Sequence, residues 1–269
     1  MAQKNNTTRQ YSKMQKTLKE KAVVLFSGGL DSTTMLYYAS SLGYELFPIS
    51  FRYGQRHEVE LAFAKNIIAN HQNQLTIANH QIIDINLDLF NKSALINNQV
   101  ALEERTIAKI LEKQHSLDLA HIPNSYVPAR NSIFLAYAFG YAETIGASKI
   151  FIGVNAVDYS GYPDCRPQFI TAFQNLINNA ISDKANKINI EAPLIDLSKT
   201  EIIKIGKELG LDYNLTFSCY NPIIHKINDE QINVEICQKC DSCLIRQDAF
   251  NKLNIPYSTS HIIPLSLIQ

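Results

Sequence analysis

Lys21-Ala22-Val23-Val24-Leu25-Phe26-Ser27-Gly28-Gly29-Leu30-Asp31-Ser32-Thr33-Thr34 is the stretch that decides the fold of this chain. Ala22–Phe26 is an unbroken apolar run, the pattern of a strand covered on both faces, as in a parallel sheet. From Asp31 to Leu42 the apolar residues Met35, Leu36, Ala39 and Leu42 fall at helical spacing, and Gly43 follows as a C-cap. Between strand and helix lie two glycines, which allow close backbone approach and positive φ. Ser32, Thr33 and Thr34 place hydroxyls and free N–H groups at a helix N-terminus, which favours an anion. The segment is neither G-x-G-x-x-G nor G-x-x-x-x-G-K-[ST], so neither a dinucleotide fold nor a Walker NTPase is indicated. Two readings fit: a phosphate cradle formed by Phe26–Thr34, or a tight strand-to-helix turn N-capped by Asp31 or Ser32.

Outward from this point strand and helix patterns alternate. Strands are predicted at Leu46–Phe51, Ile82–Ile85, Lys149–Val154 and Ile188–Ala192. Helices are predicted at His57–Ile68, Leu102–Leu111, Asn131–Thr144, Gln168–Ile181 and Thr200–Leu209, with residues 86–100 a loop. This order predicts an α/β fold, a doubly wound parallel sheet of Rossmann-like form with helices on both faces. Ligands in such sheets bind beyond the carboxyl ends of the strands, where the quoted glycines lie.

At 269 residues, 30.4 kDa and 46% apolar content, the chain suits one α/β domain with an appendage. The expected organisation is a basic, disordered tail at 1–20, an α/β domain at 21–210 and a C-terminal segment at 211–269 that carries four of the five cysteines. Net charge is zero, which argues against a protein working through a basic surface on nucleic acid. The balance is uneven: residues 1–21 hold six Lys and Arg against one Glu, leaving the remainder at −5. A solvated tail is the reading preferred over a functional arm. The head lacks the apolar run of a signal peptide, and no 18-residue apolar stretch occurs, so a soluble cytoplasmic protein without membrane contact is expected.

Four of the five cysteines cluster: Cys219, then 17 residues, then Cys237-x-x-Cys240-x-x-Cys243. Such clustering indicates a metal site rather than a disulfide framework. Four thiolates complete a tetrahedral Zn²⁺ shell with no open position, hence a structural site. An iron–sulfur cluster and unrelated reduced cysteines are the alternatives.

The motif Ser27-Gly28-Gly29-Leu30-Asp31-Ser32 resembles the SGGxDS signature of the PP-loop ATP pyrophosphatase superfamily, whose fold is the adenine nucleotide alpha-hydrolase type. Members cleave ATP between the α- and β-phosphates and form an adenylate. Further stretches narrow the likeness: Tyr53–His57 with Glu60-Leu61, Val127–Asn131, Gly153–Pro167, Ala192–Leu194 with Lys199–Ile202, and Ser218–Tyr220. Together with the cysteines they resemble the nitrile-forming 7-cyano-7-deazaguanine synthase family over Lys21–Lys252. The resemblance implies ATP-dependent conversion of 7-carboxy-7-deazaguanine and ammonia to the nitrile through adenylated acid and amide, as a carbon–nitrogen ligase of queuosine biosynthesis. It implies ATP, Mg²⁺ and Zn²⁺ as cofactors, small molecules as partners without direct nucleic-acid contact, and a homodimer. Ser27, Gly28, Gly29, Asp31 and Ser32 would contact phosphate or Mg²⁺, with Asp31 linked to the metal. Asp31, Lys199, Arg130 and Arg166 are implied in catalysis, and Arg56, His57, Asn155, Asp158 and Asp164 in substrate binding. Three features depart from the family: residues 1–20 lie outside it, Asn221–Glu235 lengthen the cysteine loop as an insertion, and Gln168 stands where the family carries Glu.

Each candidate has a plainer alternative. Lys199 opens a helix behind a strand end, within reach of ATP phosphates or simply exposed in a first turn. Arg130 and Arg166 lie in loops at the sheet's carboxyl edge and can pair bidentately with a carboxylate or phosphate, or remain on the surface. Arg56 and His57 begin a helix, and on the residues alone a solvated first turn is the slightly preferred reading. Asp158 and Asp164 can accept from the amino edge of a deazapurine or serve the turn around Gly161 and Pro163. Phe51, Tyr159 or Tyr162 can stack on a base or fill the core. Cys165 is a lone thiol in chemistry that needs no thiol nucleophile. A PP-loop tRNA-thiolating enzyme and a zinc-knuckle nucleic-acid module are the competing functions; the zero net charge weighs against the first, and the glycine loop against the second.

Overall fold

The computed structural model describes residues 19–72, 74–112, 122–155 and 161–268. Strand β1 (Lys21–Leu25) lies at the centre of a five-stranded sheet with β2 (Glu45–Arg52), β3 (Gln81–Asp84), β4 (Lys149–Phe151) and β5 (Asn189–Glu191). The order is β3-β2-β1-β4-β5 and every pairing is parallel. The apolar run of β1 serves both faces. Ala22 and Val24 join a core with Met35, Leu36, Ile202 and Phe250, while Val23 and Leu25 join another with Leu135, Ala138 and Ile177. The predicted doubly wound sheet is therefore present, with helices on both faces.

The first core is closed by α1 (Leu30–Ser41), α6 (Lys199–Glu208) and α7 (Asp241–Lys252), the second by α4 (Arg130–Ile145) and α5 (Pro167–Ala180). Leu211, Tyr213, Ala249 and Phe250 belong to the first core, so the C-terminal segment packs on the sheet domain itself. Because β1 has β2 on one side and β4 on the other, the chain reverses its winding beside β1. The crevice at the carboxyl ends of β1 and β4 is where such folds bind ligands.

Boundaries differ from expectation in instructive places. The helix expected from His57 begins at Glu60 as α2 (Glu60–His71), preceded by a turn through His57–Val59. The helix expected at 102–111 is the short α3 (Ile107–Glu112). Strand β4 ends at Phe151 rather than Val154, because at Gly153 the chain closes on α1: a Cβ there would stand 3.2 Å from Ser32 N. The expected insertion at 221–235 is ordered. Ile223–Lys226 (β6) and Gln231–Glu235 (β7) form a hairpin, and Ser260–Pro264 (β8) completes an antiparallel sheet. The inward side chains Ile232, Val234 and Ile263 pack with Val59 just before α2, with Ala62 and Phe63 of α2, and with Phe217. No helix among the described residues is long and apolar enough to cross a membrane.

Candidate active site

The glycine loop is held by its neighbours. Gly28 has φ +82°, and a Cβ on it would lie 2.6 Å from Ala64 N and 2.8 Å from Glu60 O, so α2 rests against the loop backbone. Phe217 N donates to Gly28 O at 3.0 Å, and Leu30 N donates to Ser218 Oγ at 3.4 Å. Ser32 Oγ accepts from Ser27 N at 3.1 Å and lies 3.1 Å from Ser27 Oγ, closing the loop on itself. The first N–H groups of α1 have no partner within the helix, and Leu30, Asp31 and Ser32 line the crevice, an arrangement that suits an anion.

Phe26, Ser27, Gly29, Leu30, Asp31, Ser32, His57 and Arg130 all line one cleft, with Tyr53, Glu60, Cys165 and Tyr220. Thr33 and Thr34 do not reach it. Their hydroxyls donate to Gly29 O at 2.7 Å and Leu30 O at 2.8 Å, both residues are buried, and Thr34 Oγ1 also meets the Tyr213 hydroxyl at 2.8 Å. Phe26 and Leu30 are core residues that contribute backbone to the cleft wall.

Asp31 is ion-paired with Lys199, the first residue of α6, itself started by a capping box between Ser198 and Glu201. One carboxylate oxygen, Asp31 Oδ1, is buried with no hydrogen-bond partner. A buried acceptor beside a phosphate cradle suits a hard divalent cation, since Mg²⁺ is commonly held by one or two carboxylates plus substrate phosphates. Lys199 lies in an adjoining hollow with Asp31, Ser218 and Arg246.

Arg130 is aimed by its backbone. Ala129 sits at φ +56°, and Asp164 Oδ2 accepts from Asn131 N at 3.0 Å, fixing the start of α4. Burial opposes the charge of Arg130, but Tyr53, Asp164 and Cys165 around it push its pKa above the ordinary value, so it is a permanent cation in the cleft. Burial raises Tyr53 to about 12. Phe51 stacks on Phe134 at 4.1 Å, and Cys165 Sγ accepts from Asn131 Nδ2 at 3.2 Å, so both are bound into the wall.

Several expected site residues stand elsewhere. Arg56 turns away, donating to Asn98 Oδ1 at 2.9 Å and Val100 O at 3.0 Å, and lines a separate cavity with Glu103 and Lys239. Asp164 is 5% exposed and holds α4 instead of lining the cleft. Asn155 is fully buried, Arg166 precedes α5, and Gln168 is exposed in that helix's first turn. Asp158 and Tyr159 lie outside the described residues.

Sequence reasoning gave no role to Glu60, Tyr53 or Tyr220, although all three lie in the quoted motifs. It missed Arg246 altogether. Arg246, on α7 one turn after Cys243, donates to Thr216 Oγ1 at 2.9 Å, Ser218 Oγ at 3.3 Å and Tyr213 O at 2.7 Å. Through Ser218 it braces Leu30 N at the loop.

The four sulfurs of Cys219, Cys237, Cys240 and Cys243 lie within 4.8 Å of one another. A tetrahedral ion about 2.3 Å from each thiolate would separate them by about 3.8 Å, so the cluster fits one ion. A four-iron cluster carries its thiolates on separate metal atoms and spreads them further. Backbone N–H groups of Cys237 and Asn221 donate to Cys219 Sγ at 3.2 and 3.3 Å, those of Tyr220 and Cys240 to other sulfurs of the set.

Residues 21–254 match the family described as queuosine biosynthesis protein QueC. The 7-cyano-7-deazaguanine synthase of Desulfatibacillum aliphaticivorans is 45% identical over 247 residues, covering 91% of this chain and 97% of that protein. Its counterpart in Syntrophobacter fumaroxidans is 43% identical with the same coverage. Among solved structures, an NMN synthetase from Francisella tularensis is similar at 14% identity and a TM-score of 0.43, covering 96% of this chain and 85% of that one.

Proposed function

This chain belongs to the queuosine biosynthesis protein QueC family, and from that premise we propose that it is a 7-cyano-7-deazaguanine synthase, an ATP-dependent carbon–nitrogen ligase. Its substrates are 7-carboxy-7-deazaguanine, ammonia and ATP. The observation that carries the reading is the cleft in which the glycine loop, Asp31 and Arg130 face one space, with Lys199 paired to Asp31 from the adjoining hollow.

The chemistry explains why those groups are needed. A carboxylate is a poor electrophile, so its oxygen attacks the α-phosphorus of ATP and pyrophosphate leaves. Ammonia displaces AMP to give the amide. The amide oxygen is then adenylated in turn, and loss of AMP leaves the nitrile. Ser27, Gly28, Gly29 and the first turn of α1 hold the pyrophosphate portion, and Lys199 balances its charge. Asp31 Oδ1 would hold Mg²⁺, which would neutralise charge on the phosphates. Arg130 pairs with the substrate carboxylate, and His57 and Tyr220 bound the acceptor side. These residues act by positioning, charge neutralisation and exclusion of water, which would otherwise hydrolyse the adenylate.

Cys219, Cys237, Cys240 and Cys243 would hold Zn²⁺ as a structural ion, since four protein ligands leave no open position. The chain works as a cytoplasmic homodimer on free heterocycles, without direct nucleic-acid contact. Incubation with MgATP, ammonium and 7-carboxy-7-deazaguanine should yield AMP, pyrophosphate and nitrile by mass spectrometry, and AMP formation independent of the acid would exclude this reading. Metal analysis should return one zinc per chain.

A further inference from the structure

Two carboxylates line the described part of the cleft, Asp31 and Glu60. Asp31 is paired with a lysine, but Glu60 is not. Glu60 is the first residue of α2 and is 8% exposed; its backbone lies against Gly28, which fixes it beside the phosphate loop. Its Oε1 accepts from Gln55 Nε2 at 3.3 Å and lies 3.5 Å from His57 Nε2. The other groups facing the pair are Tyr53 at the end of β2, Arg130 at the start of α4, Arg56, and Tyr220, whose ring is 5.7 Å from that of His57.

The proposed reaction has an unassigned requirement. Ammonia carries three protons on nitrogen and the nitrile carries none, so the nitrogen sheds three protons per turnover. We propose that the Glu60 carboxylate is the general base that accepts them, with Gln55 and His57 as its positioning residues. This rests on the synthase reading. In the first half, ammonia adds to the acyl carbon and an N–H proton passes to Glu60. The carbon–oxygen bond to AMP then breaks, and AMP leaves with the electron pair. In the second half, the adenylated amide gives up its remaining N–H protons in turn. The last N–H electron pair becomes the third C–N bond as AMP leaves again. Glu60 returns each proton to solvent before taking the next.

The surroundings suit this task. Burial raises Glu60 to about 8, while the Gln55 bond and Arg130 oppose the rise. Burial, with Arg130 and Arg56, lowers His57 to about 3, so His57 stays neutral and does not hold Glu60 in a fixed ion pair. A base is most effective when its pKa lies near the working pH, and an ordinary exposed carboxylate would be too weak to draw protons from nitrogen.

The test separates adenylation from amination. Acid-dependent exchange of pyrophosphate into ATP, without ammonia, reports adenylation. Nitrile formation, from the acid with ammonium and from the amide alone, reports the proton-transfer steps. In Glu60→Gln, exchange should stay within about twofold of native while nitrile formation falls about 10²–10⁴-fold from both starting compounds. In the native chain, nitrile formation from the amide alone, which needs no ammonia, should rise with pH towards about 8 and exchange should not; Glu60→Gln should lack that rise. Unchanged nitrile formation in the variant, an equal loss of exchange, or a native chain whose two activities share one pH profile would overturn the assignment. Native protein that shows no exchange would instead overturn the synthase reading beneath it.

Discussion

Replacing Gly28 with alanine tests the seating of α2 on the phosphate loop, with Gly43→Ala as its control. Both positions have positive φ, +82° and +89°. An L-residue in that region costs about 1–2 kcal/mol. Each alanine also restricts the unfolded chain similarly, which cancels between the two. The surroundings differ. A Cβ at Gly43 meets nothing within 4 Å, whereas one at Gly28 meets Ala64 N at 2.6 Å, Glu60 O at 2.8 Å and Ala64 Cα at 3.0 Å. All three are backbone atoms, so no side chain can rotate away and α2 or the loop must shift. Overpacking of this kind typically costs about 1–3 kcal/mol. Gly28→Ala should therefore be less stable than Gly43→Ala by about 1–3 kcal/mol in urea unfolding. It should also lose pyrophosphate exchange, because the shift moves the loop backbone that holds the pyrophosphate, while Gly43→Ala keeps that activity. Equal costs for the two substitutions, or full exchange in Gly28→Ala, would refute the packing argument.

Three further outcomes follow from the site. Asp31→Asn should fold but lose acid-dependent pyrophosphate exchange by about 10²–10³-fold, the usual range for one electrostatic contact to a transition state. Cys243→Ser, or removal of the metal with a chelator, should abolish bound zinc and lower the urea midpoint. Because Arg246 follows one turn later and braces Ser218 against the loop, the KM for ATP should rise as well. Glu60 makes stability pH-dependent: its folded pKa is about 8 against an ordinary 4.5, so the folded chain retains a proton that the unfolded chain releases. Its favourable contribution is full below 4.5 and is lost as pH rises through 8. Urea midpoints at pH 5.5 and 8.5 should show native protein losing ground to Glu60→Gln at the higher pH; parallel behaviour would contradict the buried, protonated carboxyl.

The sheet was legible because β1 is apolar at every position from Ala22 to Leu25, a pattern that only burial on both faces explains. Gly28-Gly29 then fixed where a ligand would sit. The three-stranded sheet was not anticipated, although Gln231-Ile232-Asn233-Val234-Glu235 alternates with period two and follows an Asn-Asp turn. Its inward residues are few, and their partners, Val59, Ala62 and Phe63, lie far away in sequence. Side-chain direction was the other blind spot. Arg56 and His57 are adjacent, yet the turn before α2 sends His57 into the cleft and Arg56 to the loop at 97–100. Thr33 and Thr34 suited phosphate by type, but their hydroxyls complete bonds to carbonyls four residues back. Glu60 is ordinary as a sequence letter, and its unusual state comes from burial that outweighs the Gln55 bond and the charge of Arg130.

On the proposed chemistry this cleft activates a carboxyl group by adenylation and then repeats the step on the amide. Acid labelled with ¹⁸O in both carboxyl oxygens tests it directly, with AMP collected and weighed by mass spectrometry. Two AMP molecules should form per nitrile, each carrying one ¹⁸O in its phosphate. Label appearing in water or inorganic phosphate, or only one labelled AMP per nitrile, would contradict the account.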